Sequence, residues 1–434
     1  MIVVCEPQCK GFSHEKVNSG FLYGLRLAFP KETLRFYAEQ THINAIKEIL
    51  KHDNVIVDDI EYIPISYREL NSITGVVSYF LLLRKLFNDV RSLGESRILF
   101  LSFSSVMLFM IKKLKQKSVF SDIKFTFVLH AEFEHIKPND NNVGNSMPVK
   151  TSITKSAVKI IRNQKLSKIM AKLIKLIHLK IRVRVSVTVS LFLSRLFPIK
   201  KIIMWKHSND YRYIVLSPHI INNAEKYIDI KNLNIFTVIL PTLFVEPSPM
   251  PVNRYPKFGV FGYGNSALLS YIAGRLSAMK FPEPYEIRII GMDNRGTAEI
   301  KNVVCPSPGK PLHRKEMEKY AKDIDMFLIL YEKNRYQLSC SGSIMESLSY
   351  MKPILHLNNE CINFFNQTSN RIGICCPTVD EYIDEMVRII ENYQEVLAEL
   401  NDYRNNIINC REKYDIKNSV NQLRDSFTWP AVSS

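Results

Sequence analysis

Nothing in this sequence reads as a passage through a membrane. Met1-Ile-Val-Val-Cys-Glu-Pro7 has neither a basic n-region nor an apolar h-region, so we expect no cleaved signal peptide. The longest uncharged, mostly apolar stretches are residues 70–83 and 98–111. Both fall short of the ~20 residues a spanning helix needs. The eight cysteines, at 5, 9, 305, 340, 361, 375, 376 and 410, form no Cys-x-x-Cys pair and no Cys/His cluster of zinc spacing. We expect no metal site, and free thiols of a reducing cytoplasm. With 15 glycines and 20 prolines among 434 residues, collagen-like and low-complexity chains are excluded. No internal repeat of ~20–50 residues is visible. What the chain does have is 46% hydrophobic residues, enough to bury two domain cores.

Acidic residues are missing from one long region. Between Asn141 and Asn209 there is no Asp or Glu, while 15 Lys and Arg fall between Lys150 and Lys206. That leaves 43 basic against 42 acidic residues elsewhere, so segment 150–206 carries nearly all of the formal net charge of +16. Lys155, Lys159, Arg162, Lys165, Lys168, Lys172 and Lys175 recur at three- and four-residue steps, with Val158, Ile161, Ile169, Leu173, Ile174 and Ile177 between them. This is helical spacing with a cationic and an apolar face. Such a helix suits an anionic membrane surface, at ~1 kcal/mol per basic residue; it also suits a solvated face packed on its own domain. A nucleic-acid partner is not expected, because the segment has few aromatics and no nucleic-acid motif.

The rest alternates strand-like and helix-like patterns. Residues 2–5, 33–38, 55–63, 97–103, 125–130, 213–216 and 235–239 read as strands, with helices at 15–27, 43–52, 70–93 and 106–115. After Pro241, three prolines at 247, 249 and 251 mark a linker. A second series follows: strands at 258–261, 286–290, 326–330 and 353–357, with helices at 267–279, 314–322, 343–350 and 379–392 and a helical tail. The pattern predicts an α/β chain of two doubly wound, Rossmann-like domains around a cleft. The expected division is residues 1–244, a linker at 245–254, residues 255–395, and C-terminal helices from 396 to 434 packing back toward the first domain.

Ligands of open parallel sheets bind beyond the carboxyl ends of the strands, and four candidate motifs lie there. In Phe258-Gly-Val-Phe-Gly-Tyr-Gly-Asn265, Gly262 and Gly264 allow close approach of backbone to a ligand, and Asn265 opens a helix. In Arg335-Tyr-Gln-Leu-Ser-Cys-Ser341-Gly342-Ser343-Ile-Met-Glu346, a loop enters a helix whose start suits a diphosphate. Glu346, expected in the first turn, can accept bonds from both ribose hydroxyls; equally, Ser343-x-x-Glu346 reads as a capping box with no ligand. His14 follows the first strand at a helix start, where an imidazole can take a proton at neutral pH or make only a local bond. His130, Glu132 and Glu134 end another strand, and the first two are candidate acceptor contacts or ordinary loop residues.

Ser341-Gly342-Ser343-Ile-Met-Glu346-Ser-Leu-Ser-Tyr-Met-Lys-Pro353-Ile is similar to the donor-site pattern of GT-B glycosyltransferases, particularly the group-1 type that builds bacterial capsule and O-antigen polysaccharides. The likeness runs over about residues 255–390 and is weak before them. The chain departs from the pattern in two places. Leu338 stands where retaining members usually carry a first Glu, and Tyr263, Asn265 and Ser266 stand where an Arg and a Lys are usual. The resemblance implies a nucleotide-sugar donor, for which the candidate contacts are Gly262, Gly264, Asn265, Arg335, Ser341, Gly342, Ser343 and Glu346; by their place after strands, His14 is the candidate base and His130 and Glu132 are the candidate acceptor contacts. It implies no cofactor and no metal ion. The expected acceptor is a lipid-linked or growing glycan, reached by a cytoplasmic enzyme peripheral to the inner face of the cell membrane. It does not choose between retention and inversion, although a base at His14 favours inversion. Two alternatives keep the fold: a nucleotide-sugar 2-epimerase, and a non-catalytic membrane-associated module.

Overall fold

The computed structural model describes residues 1–53, 55, 60–67, 70, 73–137, 196–261, 265–290, 297–307, 312 and 314–429. Most of the basic stretch, with the amphipathic helix expected in it, lies outside the described residues, as do Gly262 and Gly264.

The first lobe holds strands β1 (Ile2–Glu6), β2 (Leu34–Ala38), β3 (Ile60–Pro64), β4 (Arg97–Phe100), β5 (Lys124–Leu129), β6 (Tyr211–Val215) and β7 (Asn234–Thr237). They form one parallel sheet in the order β3-β2-β1-β4-β5-β6-β7. Its helices are α1 (Glu15–Ala28), α2 (Gln40–His52), α3 (Ile73–Ser92), α4 (Ser105–Lys115), α5 (Ile199–Met204) and α6 (His219–Ala224). The second lobe holds β8 (Lys257–Phe261), β9 (Glu286–Ile290), β10 (Val303–Val304), β11 (Met326–Ile329), β12 (Ile354–Leu357) and β13 (Gly373–Cys376), ordered β10-β9-β8-β11-β12-β13. Its helices are α7 (Ser266–Ser277), α8 (Arg314–Asp323), α9 (Gly342–Ser349), α10 (Glu360–Asn363), α11 (Val379–Glu391) and α12 (Tyr393–Tyr414), and the last helix of the chain is α13 (Val420–Phe427).

Central strands such as Ile2-Val-Val-Cys-Glu6 are buried along their whole length. Helices cover both faces of a parallel sheet, so its strands need apolar residues at every position rather than at alternate ones. In each lobe the strand order reverses once, between β1 and β4 and between β8 and β11, and a crevice opens at such a point. One apolar cluster runs through both lobes, including Val4, Phe21, Phe36, Phe327, Ile344 and Leu423. Two further clusters cover the outer faces of the sheets.

The C-terminal helix α13 returns to the first lobe and packs on α1. A Cβ at Gly24 would stand 2.6 Å from the Leu423 Cδ1 methyl and 2.9 Å from that of Ile416, so the two helices meet closely there and a larger residue would require those side chains to shift. Thr126 Oγ1 donates to the Ser426 carbonyl at 3.0 Å and Trp429 Nε1 to the Asn209 carbonyl at 3.0 Å.

Short elements escaped the sequence reading. β10 has two residues and β13 four, and α5, α6 and α10 run four to six residues. Such pieces are too short to show a period and are held by their neighbours. Among the described residues no helix is long and apolar enough to cross a membrane.

Candidate functional site

The second lobe presents the start of α9 to the crevice. Ser341 is the N-cap: its backbone is extended, and its Oγ accepts from the Ser343 N–H at 3.2 Å and lies 2.8 Å from the Tyr331 hydroxyl. A helix start leaves about four N–H groups without intrahelical partners, with a partial positive charge behind them. Gly342 is exposed, with open space around the position a Cβ would take. The capping box does not form. With Ser341 as cap, Glu346 falls in the second turn, and its carboxylate points across the crevice instead of back to the helix start.

Beside this corner lies a cavity of about 310 Å³ lined by Asn265, Ser266, Tyr331, Glu332, Arg335 and Tyr336, among others. Asn265 caps α7 through the Leu268 N–H at 3.1 Å and donates to Glu332 at 3.2 Å. Arg335 is exposed, its guanidinium 5.2 Å from the Tyr336 ring centroid.

The first lobe faces the corner with the β1–α1 connection. Lys16, in the first turn of α1, donates to both carboxylate oxygens of Glu346 across 330 residues of sequence. Both side chains are largely withdrawn from water, at 18% and 11% exposure. The ammonium also faces the rings of Phe261 and Tyr350, at 5.9 and 5.7 Å.

Two residues before Lys16, His14 sits at the N-cap position in a left-handed conformation, φ 54°, and makes no side-chain cap bond. Its ring meets that of His130 edge-on, with centroids 4.7 Å apart. His14 is exposed on one side, yet partial desolvation by the surrounding protein holds its pKa below the usual imidazole value. Burial takes His130 lower, to about 3, and its Nε2 lies 2.7 Å from the Leu101 carbonyl, which fixes that nitrogen as the protonated one. Glu132 is pushed up to about 7 by burial, against the pull of backbone N–H groups that include Ala131.

A buried network holds this wall. Glu6, at the end of β1, accepts from the Gln8 and Cys9 N–H groups at 2.8 and 3.0 Å, from Ser102 Oγ, and from Asn18 Nδ2 at 3.2 Å. Asn18 Nδ2 also lies 2.9 Å from His42 Nε2, and His42 Nδ1 lies 2.8 Å from the Gly11 carbonyl. The loop that carries His14 is thus tied to β1, α1, α2 and the end of β4. On its far side is a cavity of about 320 Å³ lined by Gln8, Lys10, Ser13, Tyr67, Leu70 and Tyr79.

The lobes also meet beside the corner. Glu134 accepts from the Leu338 N–H and the Ser339 hydroxyl, both at 2.8 Å, and His219 Nε2 lies 2.9 Å from the Tyr336 carbonyl. Leu338 is buried in the outer cluster of the first lobe. Arg314 donates to both oxygens of Asp53, at 2.7 and 2.8 Å.

No protein-family model matches the chain, and no curated protein matches its sequence. Solved structures do match, over nearly the whole length. A glycosyltransferase from Rickettsia africae ESF-5 aligns at TM-score 0.56 and 9% identity, over 98% of this chain and 97% of its own. The lipopolysaccharide outer core galactosyltransferase WaaB aligns at 0.53 and 12%, over 98% and 99%. TarM aligns at 0.53 and 11%, over 99% of both chains. The fold is GT-B. The architecture expected from the sequence is therefore the one found.

The structure brings Asn265 and Arg335 to one cavity beside the helix that carries Ser341, Gly342, Ser343 and Glu346, and it sets His14 ring to ring with His130, which Glu132 follows in the chain; the Lys16–Glu346 pair joins the two groups. Sequence reading missed Lys16, Glu6, Asn18, His42 and the Tyr67–Tyr79 cavity. Only tertiary pairing distinguishes Lys16 from any other lysine near a helix start. Among the described residues no group of three or more His, Cys, Asp or Glu is gathered to hold an ion.

Proposed function

We propose that the protein is a glycosyltransferase, moving a sugar from a nucleotide-sugar donor to a lipid-linked or growing polysaccharide acceptor of the capsule or O-antigen type. The observation that carries this reading is the contact of Glu346, in the helix that starts at Ser341, with Lys16, two residues beyond His14. A diphosphate lies at the helix start, its ribose on Glu346, and the sugar's anomeric carbon faces the first lobe. His14, neutral at pH 7 because its pKa is lowered, takes the proton as the acceptor oxygen bonds to that carbon. The bond from the carbon to the diphosphate breaks, and the leaving group's negative charge meets prepositioned N–H groups and cations, which need no metal ion in this reading. Glu132 and His130 stand on the acceptor side. The sugar inverts in a single displacement of this kind.

Segment 150–206 would hold the enzyme at the inner face of the membrane, beside its acceptor. Its described end is firmly rooted: buried Lys112 donates to the carbonyls of Ile203 at 2.8 Å and Trp205 at 2.7 Å, and Trp205 stacks on Phe109.

The test is a panel of UDP-, GDP-, CMP- and dTDP-sugars scored by melting shift, followed by transfer to extracted lipid-linked glycans. One nucleotide class is expected to stabilise the protein, with release of free nucleotide only when acceptor is present. Glu346→Ala should weaken that binding about tenfold. Unchanged affinity and activity in Glu346→Ala would end the donor-site reading. Isomerised sugar from donor alone would point to the epimerase.

A further inference from the structure

The crevice holds a cation in a position the donor itself must disturb. Lys16 occupies both oxygens of Glu346, and the ribose of the proposed donor requires the same two oxygens. The two arrangements exclude each other, so donor binding must displace the ammonium. It cannot go far: the stem rises from the first turn of α1, and the faces of Phe261 and Tyr350 flank the charge. The start of α9 lies four residues before Glu346, about 6 Å along the helix axis. A lysine's flexible four-carbon stem spans such a step. The neighbouring arginines are placed differently. Arg314 is committed to Asp53 through two bonds, and Arg335 lies exposed against Tyr336 at the cavity mouth.

We propose that Lys16 is a donor-binding residue that changes partner, from Glu346 in the empty crevice to the diphosphate when the ribose takes the carboxylate. The first lobe thereby supplies a phosphate cation to a site built on the second, and donor binding and the seating of the lobes become one event. This rests on the donor-site reading above and adds to it a specific consequence: the diphosphate and the nucleoside respond differently to loss of the lysine. A nucleoside alone must break the Lys16–Glu346 pair without giving the ammonium a new partner. A nucleoside diphosphate breaks the pair and replaces it.

Uridine, guanosine and thymidine are titrated against the full chain in parallel with UDP, GDP and dTDP. Lys16→Met keeps an apolar stem of similar length beside the Phe261 and Tyr350 rings. The variant is expected to lose about tenfold or more in diphosphate affinity, while nucleoside affinity holds or rises because Glu346 is freed. Lys16→Arg is expected to restore most of the diphosphate affinity. An equal loss for nucleoside and diphosphate would mean that Lys16 only braces the lobes, and would overturn the inference while leaving the donor site standing. Unchanged diphosphate affinity would overturn it as well. Absence of binding by every compound to the unmodified protein would remove the donor-site reading and this inference with it. If Lys16→Met does not fold, Glu346→Gln gives the same readout. It releases the lysine in place, so nucleoside affinity should fall while the gain from adding the diphosphate is kept or increased; a reduced gain would overturn the proposal.

Discussion

The two walls of the crevice are built on different principles. The second-lobe wall is local: a cap, a glycine, a helix start and a glutamate lie within Ser341–Glu346. The first-lobe wall is assembled from the ends of β1, β4 and β5 and from α1 and α2. It is bound together by Glu6, whose carboxylate has no contact with water. A wall made of backbone N–H groups tolerates change in most side chains. A wall made of a buried polar network fails as a unit when one member goes, because each partner is left unsatisfied.

This contrast can be broken at four points. The largest effect should come from His14→Gly, which removes the proposed base and relieves the left-handed backbone. Turnover should fall by about 10²–10⁴-fold, while chemical denaturation shows stability unchanged or raised by about 1 kcal/mol. If the proposed transfer holds, the acid limb of the unmodified protein's rate profile should lie below the ordinary imidazole pKa of about 6.5, because His14 stays neutral to lower pH.

Glu6→Ala should cost about 3 kcal/mol or more in urea unfolding, since two N–H groups, a hydroxyl and an amide lose their acceptor. Glu132→Gln tests the same wall through pH. Below about pH 4.5 the carboxyl is protonated in both folded and unfolded chains. As pH rises toward 7 the unfolded chain releases its proton and the folded one keeps it, so stability falls across that window. The variant should abolish that fall, worth on the order of 3 kcal/mol between pH 4.5 and pH 8. Melting curves at the two pH values measure it. The smallest effect belongs to the local wall: Ser341→Ala should lower stability by about 1 kcal/mol through loss of the cap. Its nucleotide affinity should fall only a few-fold, because most helix N–H groups remain. A collapse of binding in Ser341→Ala would erase the distinction between the walls.

Legibility followed the same division. The corner at Ser341–Glu346 and the strand–helix alternation are patterns within a dozen residues, and both are readable from period and cap chemistry. The position of His14 after the first strand was also readable, since βα turns fall at the crevice in such sheets. Its contact with His130 was not, because that depends on β1 lying within reach of β5 across β4. The capping reading of Glu346 went wrong for a related reason. Spacing alone fits Ser343 as cap, but Tyr331 and the extended backbone at Ser341 move the cap back by two residues, and Lys16 draws the carboxylate away.

The sequence by itself determined two doubly wound lobes, a proline-marked joint, an anion-ready helix start and the concentration of charge in residues 150–206. Each follows from side-chain chemistry along a short span of chain, where spacing alone dictates which groups meet. Tertiary packing decided the rest: docking of the lobes made the pairing of Lys16 with Glu346 and the hold of Glu134 on Leu338 and Ser339, and packing within the first lobe made the surroundings that set the protons of His130 and Glu132. Those depend on the distance and dielectric between groups remote in sequence, which exist only once the two sheets have packed.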